Sequence, residues 1–540
     1  MIVSMLLAAA TPVPATPIAA TPISADRIKA DDRALSSDAF GGRGPGEPGE
    51  ARTIAYLAKA FAEAGLEPGG DRGGWFQDVP LVRLDRAAGA TMSLGAAHPL
   101  VLGRDAALTL RNPGHTAIAA APLMFAGFGI VDAAHGYDAY RGVDMTGKVA
   151  VLLANDPDFE AGRDLGFEGR RLVFAGRVGA KVEAAMKAGA IAALVIHEDA
   201  AASYPFSQIG SGDALPAMAA APLKPSTLLA SGWLTKAVSI DLLRRAGLDL
   251  DTLKRRARDP GFRAIALSGE TLTLQGDLVA RAVTSHNVVA RLPGASRPRD
   301  YVLYGAHWDA NGANGPDASG DTIRNGAIDN ATGTAELLEV ARAFASGKRP
   351  ARTVIFAAWT AEEKGLVGSD YYATHPLYAL ARTALVINLD PHLVLPAARD
   401  VELIGGGRTS LEADLARVAA TQRLAVVDEP SPEAGWYFRS DHYSFARKGV
   451  PTVAFRIGRY LVAGGADAGA KIVAAYNRDC YHQPCDQFDP TWTFAGAAQE
   501  ASVAYLLGRD VAERSSWPDW NADSEYRPVR AATAAERTGG

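Results

Sequence analysis

The chain has only two cysteines among its 540 residues, so a disulfide framework is excluded as the source of its stability. It also lacks a basic excess, since 55 Lys and Arg face 60 Asp and Glu and give a formal charge of −5. A nucleic-acid-binding surface needs such an excess, and nucleic acid is therefore not an expected partner. Beyond the N-terminus no uncharged stretch approaches the roughly 20 residues of a spanning helix, and we expect no stable membrane span.

The N-terminus is an apolar run, Met1 to Ala10, followed by a segment rich in Ala, Pro and Thr. Patterns of small residues such as Ile18-Ala19-Ala20 resemble a cleavage site, so residues 1–24 are predicted to be a signal peptide. No Lys or Arg precedes Arg27, and the alternative is a plain low-complexity tail. The signal peptide predicts an exported protein, periplasmic or extracellular.

The remaining chain divides into four parts by its composition and its predicted secondary structure. Residues 25–86 include an amphipathic helical pattern, and residues 87–280 read as short strands between Gly and Asp turns, which predicts a smaller β-rich insertion. In residues 281–515 short apolar runs alternate with helical patterns, which favours an α/β fold with a mostly parallel sheet flanked by helices on both faces. Residues 516–540 form a polar tail, and beyond Arg530 we expect disorder.

Histidine and acidic residues follow three of the predicted strands directly. The carboxyl ends of parallel strands meet at one edge of a sheet, where ligands bind. The strands 301–306, 354–358 and 385–389 lead into His307 and Asp309, Glu362 and Glu363, and Asp390, while two loops add Asp329 and His482. Imidazole nitrogens and carboxylate oxygens are ligands that zinc favours, so this set suits two zinc ions.

These motifs resemble the zinc peptidases of the M28 type, which include bacterial aminopeptidases, glutamate carboxypeptidases and glutaminyl cyclases. The resemblance rests on HWD, NGAIDNATGTAE, WTAEEKGLVGS, VINLD, YFRSDHYSFARKGVP and YHQPCD, in that order between residues 307 and 486. The segment 28–80 looks like the N-terminal region of the family. The segment from about 105 to 200, with GKVAVLLANDP and KAGAIAALVI, resembles a protease-associated domain inserted into the zinc-exopeptidase fold.

The resemblance implies a role for each site residue. One zinc would be bound by His307 and Asp390, the other by Glu363 and His482, with Asp329 bridging both. Glu362 would be the general base, Tyr481 would stabilise the oxyanion, and Asp309 would support the imidazole of His307. The family further implies a cis peptide bond between Asp329 and Asn330.

Several residues have competing interpretations. Glu362 and Glu363 also suit the acidic first turn of a following helix. His442 is a tempting metal ligand by proximity, but the family motif favours His482, so His442 becomes a candidate for the substrate side. Arg439 could meet a substrate carboxylate, and His392 could line the pocket. Finally, Cys480 and Cys485 flank His482. In an exported protein they could close a disulfide, and in a reducing compartment they would be free thiols or zinc ligands.

The sequence therefore predicts a di-zinc metallopeptidase that acts on peptides, with an aminopeptidase as the first hypothesis. A carboxypeptidase of the same family is the alternative, and it would need a cation such as Arg439 for the terminal carboxylate. A glutaminyl cyclase and a non-catalytic binding protein with the peptidase fold are further alternatives. No motif indicates the oligomeric state.

Overall fold

The computed structural model of the protein describes residues 22–95, 97–133, 135–212, 215–317, 319–390 and 393–538. The predicted signal peptide therefore lies almost wholly outside the described residues, as does His392. Among the described residues, no helix combines the length and the apolar character required to cross a lipid bilayer.

The strands of four or more residues are numbered in chain order. They are β1 (Phe76–Arg86), β2 (Thr91–Leu94), β3 (Ala106–Leu110), β4 (Gly114–Phe125), β5 (Val149–Leu153), β6 (Ala192–His197), β7 (Ala217–Ala220), β8 (Ala230–Thr235), β9 (Ile265–Leu292), β10 (Arg297–His307), β11 (Arg352–Trp359), β12 (Thr383–Asn388), β13 (Asp400–Ile404), β14 (Ala425–Asp428) and β15 (Ala454–Ile457).

The helices of eight or more residues are numbered in the same way. They are α1 (Ala25–Leu35), α2 (Pro48–Glu63), α3 (Val178–Lys187), α4 (Lys236–Arg245), α5 (Leu250–Ala257), α6 (Gly333–Ser346), α7 (Val367–Thr374), α8 (Leu411–Thr421), α9 (Gly465–Asp479) and α10 (Ala495–Glu513).

One long strand, β9, takes part in both halves of the main sheet. Its first half pairs with β4, which leads through the parallel strands β5, β6 and β8 of the insertion. Its last residues pair with β11, and β11, β10 and β12 form the parallel part of the catalytic half. The predicted boundary between residues 280 and 281 falls inside this strand.

The catalytic half of the sheet is covered by helices on both faces. Tyr304 of β10 points to one side, stacks on Phe356 with ring centroids 5.5 Å apart, and packs near Phe344 of α6. On the other side, Trp359 of β11 packs against Tyr372 of α7. All five of these aromatic side chains are fully buried, and burial of this apolar surface is what holds the layers together. The predicted fold class is confirmed.

Two sequence-based expectations need correction. The apolar run at 452–455 belongs to the segment 281–515 that is predicted to form the mostly parallel sheet, but it gives strand β15, which lies in a separate three-stranded sheet with β13 and β14. The tail is ordered beyond Arg530, because helices form at Arg527–Ala532 and Ala535–Thr538. Arg530 itself is only 2% exposed and donates to the carbonyl of Ala381 at 3.3 Å. The polar composition hid these contacts, since Arg530 and Arg537 both donate to a carbonyl far away in sequence, that of Ala381.

Two buried carboxyl groups face each other in the layer between α6 and α10. Glu336 and Glu500 are both fully buried, and neither oxygen of Glu336 has a hydrogen-bond partner among the described residues. Glu500 accepts from the backbone N–H of Ile457 at 2.6 Å. Burial, opposed by that hydrogen bond and by Arg456, raises the pKa of Glu500 to about 8. The folded protein therefore holds a proton here that the unfolded chain releases.

We expect the variant Glu500→Gln to be more stable than the parent protein above pH 7. The folded pKa lies above the unfolded value, so the parent loses stability as pH rises from about 4.5 to about 8, on the order of a few kcal/mol. Urea unfolding at pH 5 and pH 8 measures both proteins. If the difference in unfolding free energy between Glu500→Gln and the parent protein does not grow with pH, Glu500 does not hold a proton in the folded protein.

Candidate metal centre

The site lies where three neighbouring strands of the catalytic half end. His307 is the last residue of β10, Glu362 and Glu363 follow β11, and Asp390 follows β12. Because β10 is parallel to both β11 and β12, the three carboxyl ends open on the same edge of the sheet. The topology therefore gathers the side chains that the sequence spreads over more than 80 positions.

The first group of donor atoms comprises His307, Asp329 and Asp390, whose ligand atoms all lie within 4.8 Å of one another. The Nε2 atom of His307 is 3.3 Å from Oδ1 of Asp329 and 3.9 Å from Oδ1 of Asp390. His307 is 1% exposed, so this nitrogen points into the protein and away from bulk water.

The second group comprises Asp329, Glu363 and His482. The Nε2 atom of His482 lies 3.2 Å from Oδ2 of Asp329 and 3.1 Å from Oε2 of Glu363. Asp329 thus turns one carboxylate oxygen to each histidine, and it belongs to both groups. This is the arrangement expected of a carboxylate that bridges two metal ions.

Asp329 is held in place through its backbone. The carboxylate of Asp486 accepts from the N–H groups of Ile328 at 2.9 Å and Asp329 at 3.1 Å, and also from the hydroxyl of Tyr476 at 3.1 Å. The peptide bond between Asp329 and Asn330 is cis, as the resemblance implied. Asp486 was not singled out from the sequence, although it lies in the YHQPCD motif.

Arg43 connects the loops that carry His307 and Asp329. Its guanidinium is buried, with 1% of the residue exposed, and it donates only to backbone carbonyls. The acceptors are Trp308 at 2.8 Å, Leu35 at 2.9 Å, Asn325 at 2.5 Å and Gly326 at 2.7 Å. The sequence signal was slight, a single Arg among the glycines of GGRG.

Asp390 has one oxygen fixed and one oxygen free. Its Oδ2 accepts from the hydroxyl of Ser440 at 2.6 Å, and that hydroxyl accepts in turn from Asn388 at 2.7 Å. Its Oδ1 is buried and has no hydrogen-bond partner among the described residues. Buried polar atoms are rarely left unpaired, and an unpaired atom among other donors indicates a ligand.

These residues fit zinc. Both His307 Nε2 and Asp390 Oδ1 are buried and lack hydrogen-bond partners among the described residues. Burial lowers the pKa of His482, but the carboxylates of Glu363 and Asp329 outweigh it and raise that pKa to about 10. The carboxylates thus favour a bound positive charge. The nitrogen and oxygen atoms gathered within 4.8 Å of one another in each group are ligands that zinc prefers.

Glu362 lies beside both groups and belongs to neither. Its backbone N–H donates to Oδ1 of Asp309 at 3.0 Å, and its Oε2 is 3.8 Å from His307 Nε2. Burial raises the pKa of Glu362 well above its usual range. This raised pKa suits a carboxylate that must accept a proton and later return it.

The support for His307 differs in detail from the expectation. Its Nδ1 bonds to the backbone carbonyl of Asp309 at 3.0 Å, whereas the carboxylate of that residue is 3.8 Å away. The carboxylate binds the backbone of Glu362 instead. Asp309 therefore links the loop after β10 to the loop after β11, and its backbone orients the imidazole.

The substrate side is bordered by aromatic and cationic groups. Tyr481 stacks on His482 with centroids 3.8 Å apart, and its hydroxyl accepts from Arg439 at 3.4 Å. The guanidinium of Arg439 lies 4.3 Å from the ring centroid of Trp436. Arg177 of the insertion donates to the carbonyl of Phe438 beside it. Sequence reasoning missed Arg177, because nothing local connects it to a site 130 residues and more away.

His442 lies outside both ligand groups. It is buried, 3% exposed, and its ring packs against Tyr437 with centroids 4.9 Å apart. Burial lowers its pKa to about 4, so it is neutral. The structure therefore brings His482, and not His442, to the carboxylates.

Cys480 and Cys485 form a disulfide on either side of the His482 loop, with an S–S distance of 2.18 Å. We expect no free thiol in denatured, unreduced protein recovered from an oxidising compartment, because both cysteines are in this bond. Thiol titration before and after reduction tests this, with two thiols expected only after reduction. Two thiols before reduction would contradict the pairing.

Comparisons with known proteins agree with this geometry. Residues 287–506 match the family model of "Peptidase family M28". A protein of Pyrenophora tritici-repentis named "Probable zinc metalloprotease" is 27% identical over 262 residues, which cover 46% of this chain and 55% of that one. The "Glutamate carboxypeptidase 2 homolog" of Caenorhabditis elegans is 30% identical over 229 residues, 37% of this chain and 27% of that one.

A solved structure extends the likeness in fold to nearly the whole chain. "Aminopeptidase from Aneurinibacillus sp. strain AM-1" aligns with a TM-score of 0.54 and 20% identity, over 93% of this chain and 98% of that one. The chain spans about half the length, or less, of the curated relatives it first matches. All the metal-ligand candidates and Glu362 lie within the matched residues 287–506. This segment of the chain therefore matches peptidase family M28.

Proposed function

We propose that this protein is an exopeptidase that uses two zinc ions to hydrolyse the peptide bond next to a free N-terminus. The proposal rests on the position of Asp329. Its Oδ1 lies 3.3 Å from Nε2 of His307, and its Oδ2 lies 3.2 Å from Nε2 of His482. A general base, Glu362, stands beside this pair of donor groups.

The residues present would divide the chemistry among them. His307, Asp390 and Asp329 would hold one zinc ion, and Glu363, His482 and Asp329 the other. Bound zinc supplies an acidified water and polarises the substrate carbonyl. Glu362 takes the proton of the nucleophile and delivers it to the leaving amine. Tyr481, 8% exposed and held by Arg439, offers its hydroxyl to the developing oxyanion.

An N-terminal ammonium suits the charge of the site. The carboxylates of Asp441 and Asp390 lie close enough to Glu362 to raise its pKa, and Asp441 is fully buried. Such a concentration of carboxylates attracts a cationic group and repels a carboxylate. We therefore infer an aminopeptidase in preference to a carboxypeptidase.

A panel of short peptides tests the direction of cleavage. Peptides with free termini, with a blocked amine or with an amidated carboxyl group are incubated with zinc-loaded protein, and the products are identified by mass spectrometry. Loss of N-terminal residues only from free-amine peptides supports the aminopeptidase. Cleavage that tolerates a blocked amine but needs a free carboxylate would replace it by the carboxypeptidase. No turnover at all would favour a cyclase or a binding protein.

Zinc content should depend on Asp329, the carboxylate that belongs to both groups of ligand atoms. We expect two zinc ions per chain in the parent protein and fewer than one in Asp329→Asn, because this change weakens both donor groups at once. Metal analysis after dialysis measures the content. The control Asp317→Asn alters a half-buried carboxylate whose hydrogen-bond partners, Ser319 and Asp321, lie in its own loop, and it should retain both ions. One ion per chain in the parent protein would contradict the two-ion site.

A carboxypeptidase is the second candidate, and two arginines favour it. Neither Arg177 nor Arg439 has a carboxylate within ion-pair distance among the described residues. Burial and the charge of Arg439 lower the pKa of Arg177 to about 10, so both cations lie close together near Glu362. Two guanidinium groups that form no ion pair among the described residues, beside a hydrolytic site, suit a substrate carboxylate.

The variant Arg177→Met separates the two candidates. If the arginines bind a terminal carboxylate, kcat/KM should fall about tenfold or more for peptides with a free carboxyl group and stay unchanged for their amides. An exposed arginine of the same segment, Arg170, supplies the control Arg170→Met. Equal rates of free and amidated peptides in both variants would remove the carboxypeptidase from consideration.

We further propose that the protein is exported. The disulfide between Cys480 and Cys485 supports this, because such bonds persist in oxidising compartments. The apolar N-terminus, with its small-residue patterns, is consistent with a cleaved signal peptide. N-terminal sequencing of the native secreted protein is expected to start within residues 15–25. Recovery of the full chain from the cytoplasm only would contradict export.

A further inference from the structure

A cavity of about 500 Å³, separate from the metal centre, lies between the insertion and the catalytic half. We call it the seam cavity. Its walls come from the insertion at 168–171, from the glycine loop at 406–408, from the end of β14 with Asp428 and Glu429, and from the tail at 523–525. None of the metal-ligand candidates lines it.

One wall of the seam cavity carries a buried anion. Glu429 is 8% exposed, and its Oε1 accepts from the backbone N–H of Gly405 at 2.9 Å. Its Oε2 is buried and has no hydrogen-bond partner among the described residues. The nearest guanidinium on the same side, that of Arg456, is already paired with Glu402 at 2.9 Å. Glu429 therefore has one oxygen to offer to a cationic donor.

The opposite charge on the cavity wall is Arg408. Its side chain is 11% exposed and lies over the ring of Tyr437, 4.5 Å from the centroid. Its Nε is buried without a hydrogen-bond partner among the described residues, and its closest carboxylate is that of Glu525 at 3.7 Å. Arg171 stands beside it, 3.6 Å from Glu168. This wall therefore has N–H donors to offer to an anion.

Glu429 and Arg408 border the same cavity without forming an ion pair with each other. Arg408 is within ion-pair distance of Glu525, whereas Glu429 forms no ion pair among the described residues, although Arg456 and Arg171 act on it through space. A bound cationic group would therefore offset the buried charge of Glu429. A lone anion is disfavoured, because five acidic side chains and three arginines line the cavity. A metal ion is disfavoured too, since no three metal-ligating atoms of the described residues converge here.

We propose that the seam cavity binds a free α-amino acid. The ammonium would donate to Oε2 of Glu429, and the carboxylate would accept from Arg408, with Arg171 beside it. The apolar part of the ligand would lie toward Leu403 and Pro432, which also line the cavity. Because the walls come from both the insertion and the catalytic half, the bound ligand would join the two.

Isothermal titration of the full-length, zinc-loaded protein tests the proposal without turnover, so its outcome is independent of the proposed peptidase activity. The probes are L-leucine, L-leucinol, which lacks the carboxylate and has no amide bond to hydrolyse, and N-acetyl-L-leucine, which lacks the ammonium. In Glu429→Gln one binding event for L-leucine should weaken about tenfold or more, the loss of one charge-assisted hydrogen bond. Any event at the metal centre should be equal in both proteins.

A matched control removes a charge from the rim of the same cavity. Asp523→Asn should bind L-leucine within about twofold of the parent protein, because that exposed carboxylate is solvated. Should Glu429→Gln not fold, Arg408→Gln is expected to show the same loss. The proposal is overturned if the parent and both variants bind L-leucine alike. It is also overturned if L-leucinol binds the Glu429-dependent site as tightly as L-leucine.

Discussion

Replacing Glu362 by Gln is expected to lower kcat by roughly 100- to 10,000-fold, the usual contribution of a general base. The amide keeps the size of the side chain but cannot accept the proton of the nucleophile. Zinc content should not change, because Glu362 belongs to neither group of ligand atoms. KM should stay close to that of the parent, since the interaction lost is one made in the transition state.

The experiment pairs steady-state rates with metal analysis of the same samples. Glu67→Gln, which alters a half-exposed glutamate far from the strand ends, is the control and should keep the parental kcat. A variant Glu362→Gln that retains zinc and loses less than about tenfold in kcat would rule out this residue as the base. Loss of zinc together with activity would instead assign Glu362 to the ligands.

Arg43→Met is expected to destabilise the protein by roughly 3 kcal/mol or more. The change leaves three buried backbone carbonyls without their donor, at about 1–3 kcal/mol for each unsatisfied group, and removes one donor of a fourth, since Gly326 also accepts from the N–H of Ala331. These carbonyls belong to Leu35, Trp308, Asn325 and Gly326. Two of the loops involved carry His307 and Asp329, so zinc affinity should fall as well, measured by competition with a chelator.

Urea unfolding of the chelated protein measures the stability term separately from the metal. Arg33→Met is the matched control, because Arg33 is exposed on helix α1 and should lose no more than about 0.5 kcal/mol. If Arg43→Met lost less than about 1 kcal/mol and bound zinc like the parent, the carbonyls would have found other donors.

The parts of the site that follow strands could be predicted from the sequence, for a physical reason. An apolar run that ends in His307 or in Glu362 and Glu363 has few other uses, because charged groups at the end of a buried strand must reach the surface or a ligand. Parallel order of the strands then brings them together. The choice of His482 over His442 needed the family resemblance, since neither histidine follows an apolar strand directly.

The supports of the site could not be predicted in the same way. Arg43, Asp486 and Ser440 act through hydrogen bonds to residues far away in sequence, from 50 to more than 280 positions. Periodicity and local motifs carry no information about such partners. The same holds for the ordered tail, where Trp520 donates to the carbonyl of Gly449 at 2.9 Å.

The way in which the chain passes into and out of the insertion limits how the two halves can move. It enters along β1 and leaves along β9, and these strands are hydrogen-bonded to each other from Leu278 opposite Arg86 to Val288 opposite Phe76. Both crossings are thus one twisted ribbon, with no loop at the crossing to serve as a swivel. Any movement of the insertion relative to the catalytic half must bend these two paired strands. We therefore expect the insertion to take a continuous range of positions, and not two distinct positions about a hinge.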